Sequence, residues 1–144
     1  MITKTNHIGL CVTKMDEMIR FYRDVLGLRQ IVDIFMEGKF LDTIQGKDNM
    51  KYHIVKFESP DGFIVELLQD HNHYTEEQKE ISLQAAGIRH FAFEVDDIDK
   101  FYSESVKNKF KTISPPTTSD DEKMRLFYLR DPENNIVEIM QLFD

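Results

Sequence analysis

Two histidines and two glutamates recur at matching places in this 144-residue chain. The stretch SPDGFIVELLQ at 59–69 and the stretch DPENNIVEIMQ at 131–141 share five of eleven residues, and the shared residues include one glutamate, Glu66 in the first and Glu138 in the second. Two further stretches, HIGLCVTKMD and HFAFEVDDID, begin at His7 and His90. The chain therefore contains a duplicated unit, each copy with one His and one Glu.

Imidazole and carboxylate side chains together suit a divalent metal ion. Imidazole is a common ligand of zinc, nickel, cobalt and iron, and carboxylates neutralise charge and favour harder ions. A single His or Glu in a strand is more often a structural residue, but their joint recurrence in a duplicated unit favours metal binding. Four ligands leave two positions of an octahedral site open, which is enough for a substrate that chelates through two oxygens.

The elements around these residues read as two βαβββ modules. The runs at 7–12 and 90–95 have the length of short strands, and each is followed by apolar residues at helical spacing. Thr13 with Asp16, and Asp96 with Asp99, have the spacing of helix-capping residues. Three strands are expected after each helix, at 28–35, 50–58 and 63–69 and at 109–113, 124–130 and 136–143.

Side-chain alternation along the strands predicts where the four residues point. Successive residues of a strand face opposite sides of the sheet. Ile8, Leu10 and Val12 would lie under the first helix, and His7 would face the other way. The same argument turns His90, Glu66 and Glu138 away from the helices. Two such half-sheets facing one another would enclose a cavity that holds two imidazoles and two carboxylates.

The predicted architecture is an α+β fold in which tandem βαβββ modules form an eight-stranded, cavity-enclosing pair of half-barrels. The first module spans 1–69, a polar linker spans 70–87 with one helical stretch at 75–86, and the second module spans 88–144. The segment MEGKFLDTIQGKDN, from Met36 to Asn49, is expected to be a long loop.

Composition excludes several classes of function. Lys and Arg total 18 and Asp and Glu total 26, a net charge of −8, so the clustered positive charge that nucleic-acid binding requires is missing. No apolar run reaches the roughly 18 residues of a membrane span. The single Cys11 excludes an internal disulfide and suits a reducing compartment. We expect a cytoplasmic protein with neither nucleic acid nor membrane as a partner.

The motifs HIGLCV, FYRDVLGL, SPDGFIVELLQ, HFAFEVDDID and DPENNIVEIMQ, in this order and spacing, resemble the vicinal oxygen chelate superfamily (glyoxalase, bleomycin resistance and dioxygenase proteins) over essentially the whole chain. The resemblance implies paired βαβββ modules and metal ligands at His7, Glu66, His90 and Glu138. This ligand set is similar to that of bacterial glyoxalase I (lactoylglutathione lyase), which implies Ni²⁺ or Co²⁺ as the cofactor, with Zn²⁺ or Mn²⁺ as alternatives.

The resemblance implies a lyase or isomerase that moves a proton beside a metal-chelated carbonyl through an enediolate. Glu138 or Glu66 would be the catalytic base, with Glu138 favoured. The substrate would be a small molecule with two vicinal oxygens, and the protein a homodimer. Two alternatives stay open: a non-catalytic binding or resistance protein that sequesters a small molecule, and an isomerase similar to methylmalonyl-CoA epimerase. In glyoxalase I an Asn follows the first-module Glu motif and helps to hold glutathione, whereas this chain has Asp70.

Overall fold

A computed structural model describes residues 1–143. The chain forms two compact units, Met1–Glu77 and a second that begins at Gln78, so the division falls inside the predicted linker. The first unit contains β1 (His7–Cys11), α1 (Met15–Arg20), β2 (Arg29–Glu37), α2 (Lys39–Gln45), β3 (Lys51–Glu58) and β4 (Ile64–Asp70). The second contains β5 (His90–Glu94), α3 (Ile98–Lys107), β6 (Thr117–Thr118), β7 (Met124–Arg130) and β8 (Ile136–Leu142).

Each unit carries one four-stranded mixed sheet, and the two sheets have the same topology. The strand order is β1-β4-β3-β2 in the first unit and β5-β8-β7-β6 in the second. In both, the first strand pairs in parallel with the last, and the remaining pairs are antiparallel. Neither sheet closes on itself. The eight strands in two modules confirm the predicted α+β fold of tandem units.

The first helix packs on one face of its sheet through residues at helical spacing. Met15, Met18, Phe21 and Tyr22 are buried, and the Tyr22 ring stacks on that of Phe57 with centroids 6.0 Å apart. After Arg20 the chain widens into one π-helical turn, Phe21–Val25, in which the Leu26 amide donates to the Phe21 carbonyl. Gly27, at φ +70°, ends the helix.

The predicted capping residues were wrong by one position. Lys14, not Thr13, precedes α1 and supplies no side-chain cap. Asp97, not Asp96, is the cap of α3, and its Oδ1 accepts from the Lys100 amide. Asp99 lies inside α3 and pairs with Arg125 instead.

The segment 36–49, predicted as a loop, contains helix α2. Leu41 of this helix is buried against Met50, Tyr52 and Ile54, with Met36 and Leu68 at the edge of the cluster. Gly38 and Gly46, both at positive φ, flank the helix, and Asp42 accepts from the amides of Asn49 and Met50. Leu41 alone gives too little periodicity for a seven-residue helix to be predicted.

The core of the second unit lies between α3 and its sheet. Phe127, Leu129, Val137 and Ile139 are fully buried, and the rings of Phe101 and Tyr102 pack on that of Phe127. Val106 falls at helical spacing with Ile98 and Tyr102 but is 49% exposed, and Ser105 is buried in its place. The Ser105 hydroxyl is satisfied because it donates to the Phe101 carbonyl.

The strand predicted at 109–113 does not form. Residues 111–113 run beside β7 with only an isolated bridge between Thr112 and Leu129, flanked by two backbone hydrogen bonds. Ser114 and two prolines follow, and proline has no amide to donate to a ladder. The edge strand therefore resumes only at β6, which is two residues long.

The helical stretch predicted at 75–86 was also wrong, because residues 74–82 have no regular structure. Part of this segment is held by side chains of the second unit. Gln78 donates to Asn135 and to the Glu133 carbonyl, and Arg130 donates to the Ile81 carbonyl. These contacts replace the hydrogen bonds that a helix would have made. No helix within residues 1–143 is long and apolar enough to span a membrane.

Candidate metal centre

The first His–Glu pair lies on the face of the sheet opposite α1. Strands β1 and β4 are parallel neighbours, and Gly9 stands opposite Glu66 in their register. His7 begins β1, and its Nε2 lies 3.2 Å from Oε2 of Glu66. The other ring nitrogen, Nδ1, is 2.8 Å from Oδ1 of Asn6, so the ring has a second contact that orients it. The pair follows from strand alternation, as predicted.

The second unit repeats this pair with the same atoms. Strands β5 and β8 are parallel, and Ala92 stands opposite Glu138. Nε2 of His90 lies 3.1 Å from Oε2 of Glu138. The His90 ring also packs edge-on against Tyr128, with centroids 5.4 Å apart.

A small residue leaves room for the carboxylate in each unit. A Cβ atom built on Gly9 would lie 3.6 Å from Oε2 of Glu66 and 3.6 Å from Cδ1 of Leu68. These are ordinary van der Waals separations, so a methyl group fits there. Ala92 carries such a methyl group at the equivalent place. A larger side chain at either position would press on the glutamate.

The donor atoms fit a divalent ion. Two ligand atoms bound at about 2.1 Å are about 3.0 Å apart at a right angle and about 3.4 Å apart at the tetrahedral angle. The two nitrogen–oxygen separations of 3.2 and 3.1 Å lie in this range. Within residues 1–143 no group of three or more His, Cys, Asp or Glu side chains is arranged to hold a metal. The structure thus brings the four predicted ligands together as two pairs.

Burial differs between the partners of each pair. The glutamate side chains are 12% and 11% exposed, whereas the histidine side chains are 37% and 41% exposed. The carboxylates are therefore held within the sheet surface, and the imidazoles stand at its accessible margin. A ligand that approaches the open face meets both donors of a pair.

The third residue beside each pair was missed by the sequence reasoning. In the β3–β4 register Lys56 stands opposite Glu66, and its Nζ is 2.9 Å from Oε1 of that carboxylate. In the β7–β8 register Tyr128 stands opposite Glu138 and is hydrogen-bonded to it. Lys56 and Tyr128 each precede their glutamate by ten residues, and this common spacing is the signal that would have found them.

The environment of Tyr128 keeps its phenol protonated. Burial raises the pKa of Tyr128, and the hydrogen bond to Glu138 and the charge of that carboxylate raise it further. The phenol is therefore a neutral donor to Glu138. The corresponding donor to Glu66 is an ammonium group, which is the main chemical difference between the two units.

A third His–carboxylate contact lies elsewhere in the first unit. Nε2 of His53 is 2.7 Å from Oδ1 of Asp33, and the His53 ring stacks on Phe35 with centroids 4.6 Å apart. Strand register places these residues on the face of the sheet that carries α1, opposite to Glu66. Residues 78–143 contain no equivalent of this pair, because His90 is their one histidine.

Two other polar residues have structural partners. Arg125 forms a bidentate ion pair with Asp99 that lowers the pKa of that carboxyl group. Asp70 accepts from the Asn72 amide and from His73. Burial raises the pKa of Asp70, but these hydrogen bonds, the charge of His73 and a backbone bond from Lys51 bring it below its ordinary value.

Comparisons with known proteins agree with this architecture. The family model of the Glyoxalase/Bleomycin resistance protein/Dioxygenase superfamily matches residues 4–139. The uncharacterized protein YwbC of Bacillus subtilis (strain 168) is 27% identical over 143 residues, which cover 98% of this chain and 99% of YwbC.

Solved structures share the fold. A glyoxalase family protein from Bacillus cereus superposes with a TM-score of 0.91 at 20% identity, covering 100% of this chain and 97% of that one. A glyoxalase/dioxygenase from Nostoc punctiforme superposes with a TM-score of 0.70 at 25% identity, covering 98% of this chain and 92% of that one.

Proposed function

This chain belongs to the Glyoxalase/Bleomycin resistance protein/Dioxygenase superfamily, and we propose that it is a divalent-metal-dependent lyase or isomerase of the glyoxalase I type. In this proposal His7, Glu66, His90 and Glu138 bind one ion, with Ni²⁺ or Co²⁺ favoured and Zn²⁺ or Mn²⁺ as alternatives. The substrate is a small molecule with two vicinal oxygens. The reaction moves a proton from a carbon beside a carbonyl to the neighbouring carbon.

One observation carries the proposal. The same two atoms, Nε2 of a histidine and Oε2 of a glutamate, approach each other to 3.2 Å in one unit and 3.1 Å in the other. In both units the pair lies on the face of its sheet opposite the helix that follows its first strand, and a Gly or an Ala stands opposite the glutamate. A duplicated unit that supplies half of a ligand set would repeat the pair with the same atoms, strand positions and small neighbours.

In this proposal all four residues hold the ion, and one of the glutamates also moves the proton. A bound divalent ion would act as a Lewis acid toward a chelating carbonyl. The histidines can serve only as ligands and orienting groups in this scheme. The two carboxylates neutralise charge, and one of them accepts the proton and returns it to the adjacent carbon. General-base catalysis of this kind contributes about 10²–10⁴-fold to the rate.

We assign the proton transfer to Glu138 and not to Glu66. Oε1 of Glu66 is held 2.9 Å from the Lys56 ammonium, so moving this carboxylate would break a charge-assisted contact. Glu138 is hydrogen-bonded to the neutral phenol of Tyr128. A hydrogen bond to a neutral group costs less to break, so Glu138 is freer to move between the positions that proton transfer requires.

The test is a proton-transfer assay on protein loaded with nickel, cobalt, zinc or manganese. The probes are the hemithioacetal of methylglyoxal and glutathione, and pyruvate in deuterium oxide followed by NMR. We expect turnover of the hemithioacetal or exchange of the protons beside the pyruvate carbonyl, and we expect Glu138→Gln to abolish it. Glu94→Gln is the matched control, because Glu94 lies on strand β5 and is exposed.

A protein that binds the ion and catalyses neither reaction with any of the four metals would contradict the enzymatic proposal. It would favour the alternative of a protein that sequesters its ligand without turnover. Full activity in the Glu138→Gln variant, with activity lost in Glu66→Gln, would reverse the assignment of the base.

A further inference from the structure

The two glutamates have chemically different partners at one equivalent position. Lys56 faces Glu66 across β3 and β4, and Tyr128 faces Glu138 across β7 and β8. Glu66 divides its oxygens between two groups, Oε2 toward His7 and Oε1 toward Lys56. The charge of Glu66 is therefore compensated by an ammonium group, whereas Tyr128 offers Glu138 only a neutral hydrogen bond.

This difference fixes the charge of the proposed site. Two carboxylates neutralise a divalent ion, and the ammonium of Lys56 then leaves one positive charge in excess. A neutral chelator such as a diketone leaves that charge unbalanced. A chelator with one carboxylate balances it.

Lys56 has the means to bind such a carboxylate. An ammonium group has three N–H donors, and the ion pair with Glu66 occupies one direction of Nζ. The Lys56 side chain is 27% exposed, so it is accessible from the open face. Because the protein as a whole carries a net charge of −8, an anionic substrate requires a local cation of this kind.

Nearby cations are less suited to the role. Arg29 stands near the end of the same face and is 74% exposed, but its guanidinium is paired with Glu58. Lys51 lies on the face that carries α1, where its Nζ is 3.8 Å from Glu37 and 5.9 Å from the Phe35 ring centroid. Lys56 is the cation that contacts a proposed metal ligand.

We propose that Lys56 binds the anionic group of the substrate, and that the substrate class is a monoanionic oxygen chelator of the 2-oxo carboxylate type. This inference rests on the proposed function, because its count of charges takes His7, Glu66, His90 and Glu138 as ligands of one ion. Lys56 is then a substrate-binding residue that distinguishes a 2-oxo acid from an uncharged dicarbonyl of the same shape.

The experiment measures two affinities by calorimetry, first of Ni²⁺ for the protein and then of pyruvate or butane-2,3-dione for the nickel-loaded protein. The variant Lys56→Met removes the charge and keeps much of the side-chain volume. We expect its Ni²⁺ affinity to rise by roughly tenfold, because a positive charge beside a ligand carboxylate is gone. We expect its pyruvate affinity to fall by roughly tenfold and its butanedione affinity to change little.

Two further variants serve as controls. Lys56→Arg keeps the charge and should bind pyruvate within about threefold of the parent protein, although the different shape of guanidinium alters the hydrogen bonds. Lys51→Met removes a lysine from the opposite face of the same strand and should leave all three affinities unchanged. A merely structural role for Lys56 would weaken Ni²⁺ and both organic ligands together, and that result would overturn the inference.

The outcomes separate this inference from the function on which it rests. If the parent protein binds no Ni²⁺, both the proposed metal site and the proposed role of Lys56 are wrong. If Ni²⁺ binds and pyruvate affinity is equal in Lys56→Met and the parent, the metal site stands and the inference about the substrate is wrong.

Discussion

Glu138 Oε2 lies 3.1 Å from His90 Nε2, and the two residues belong to neighbouring parallel strands, the last and the first of the second unit. This contact joins residues 48 positions apart, and it depends on the register that sets Ala92 opposite Glu138. The first unit reaches the same contact over 59 positions. The same contact therefore forms although the two units differ in the length of chain between the histidine and the glutamate. This indicates that the duplication preserves the His–Glu pair and not the length of the segment that connects its members.

Gly9 offers a test of the space beside Glu66. Gly9→Ala should fold normally and gain up to about 0.5–1 kcal/mol in free energy of unfolding, because glycine in a strand costs backbone entropy. A Cβ there meets only ordinary contacts at 3.6 Å. Ni²⁺ affinity should stay within about threefold of the parent. Gly9→Val adds two methyl groups more than Gly9→Ala and should weaken Ni²⁺ binding at least about tenfold.

Calorimetric titration of both variants with Ni²⁺, with thermal unfolding as the control for folding, measures these effects. If Gly9→Ala lost as much affinity as Gly9→Val, space beside the carboxylate would not be the reason for the small residue.

Helix α2 should depend on one buried side chain. Leu41 is 2% exposed and Ile44 is 58% exposed on the same short helix. Leu41→Ala should lower the free energy of unfolding by about 2–4 kcal/mol, because it leaves a cavity beside Tyr52 and Ile54. Ile44→Ala should change it by less than about 0.5 kcal/mol. Urea denaturation compares the two, and equal effects would mean that α2 does not pack as described.

Alternation with period two was enough to predict the faces of both sheets and therefore both His–Glu pairs. The sequence analysis did not find Lys56 and Tyr128, because it recognised the repeat by identical residues at matching positions and these two residues differ. Assigning them to the glutamates requires the β3–β4 and β7–β8 registers, which depend on the turns between the strands. The strand expected at 109–113 is reduced to an isolated bridge at Thr112 for local reasons, since Lys109 has a φ of +62° and Pro115 and Pro116 stop the ladder from continuing.

Asp70 should stabilise the first unit in a pH-dependent way. Its carboxylate accepts from the Asn72 amide and from His73, and its folded-state pKa lies below the ordinary value. A lowered pKa contributes stability above the unfolded-state pKa of about 3.9, and that stability is lost as the pH falls through the folded-state value. Asp70→Asn should cost about 1 kcal/mol at neutral pH.

Urea denaturation of the parent and of Asp70→Asn at pH 7 and at about pH 3 tests this pH dependence. The difference in free energy of unfolding between the two proteins should be smaller at the lower pH. Asp120→Asn, at an exposed position, is the control. A difference that grows as the pH falls would contradict the assignment.

The protein should be a dimer. Strand β2 ends the first sheet, and its Ile34 and Phe35 are 46% and 58% exposed. An exposed edge of this length with apolar side chains favours pairing with a second copy. Light scattering at micromolar concentration should give twice the mass of one chain, and Ile34→Lys should weaken the dimer. Ile88→Lys, at a position 80% exposed outside the sheets, is the control. A monomer in the parent protein would refute the prediction.

The most direct measurement is the number of Ni²⁺ ions bound per chain, determined by equilibrium dialysis and elemental analysis. We predict about one ion per chain in the parent protein and none in His90→Ala or Glu138→Ala, because removing one ligand from such a set abolishes binding. His53→Ala, which removes the His–carboxylate pair with Asp33, should still bind one ion. Undiminished stoichiometry in both His90→Ala and Glu138→Ala, or two ions per chain in the parent, would contradict a single site built from both pairs.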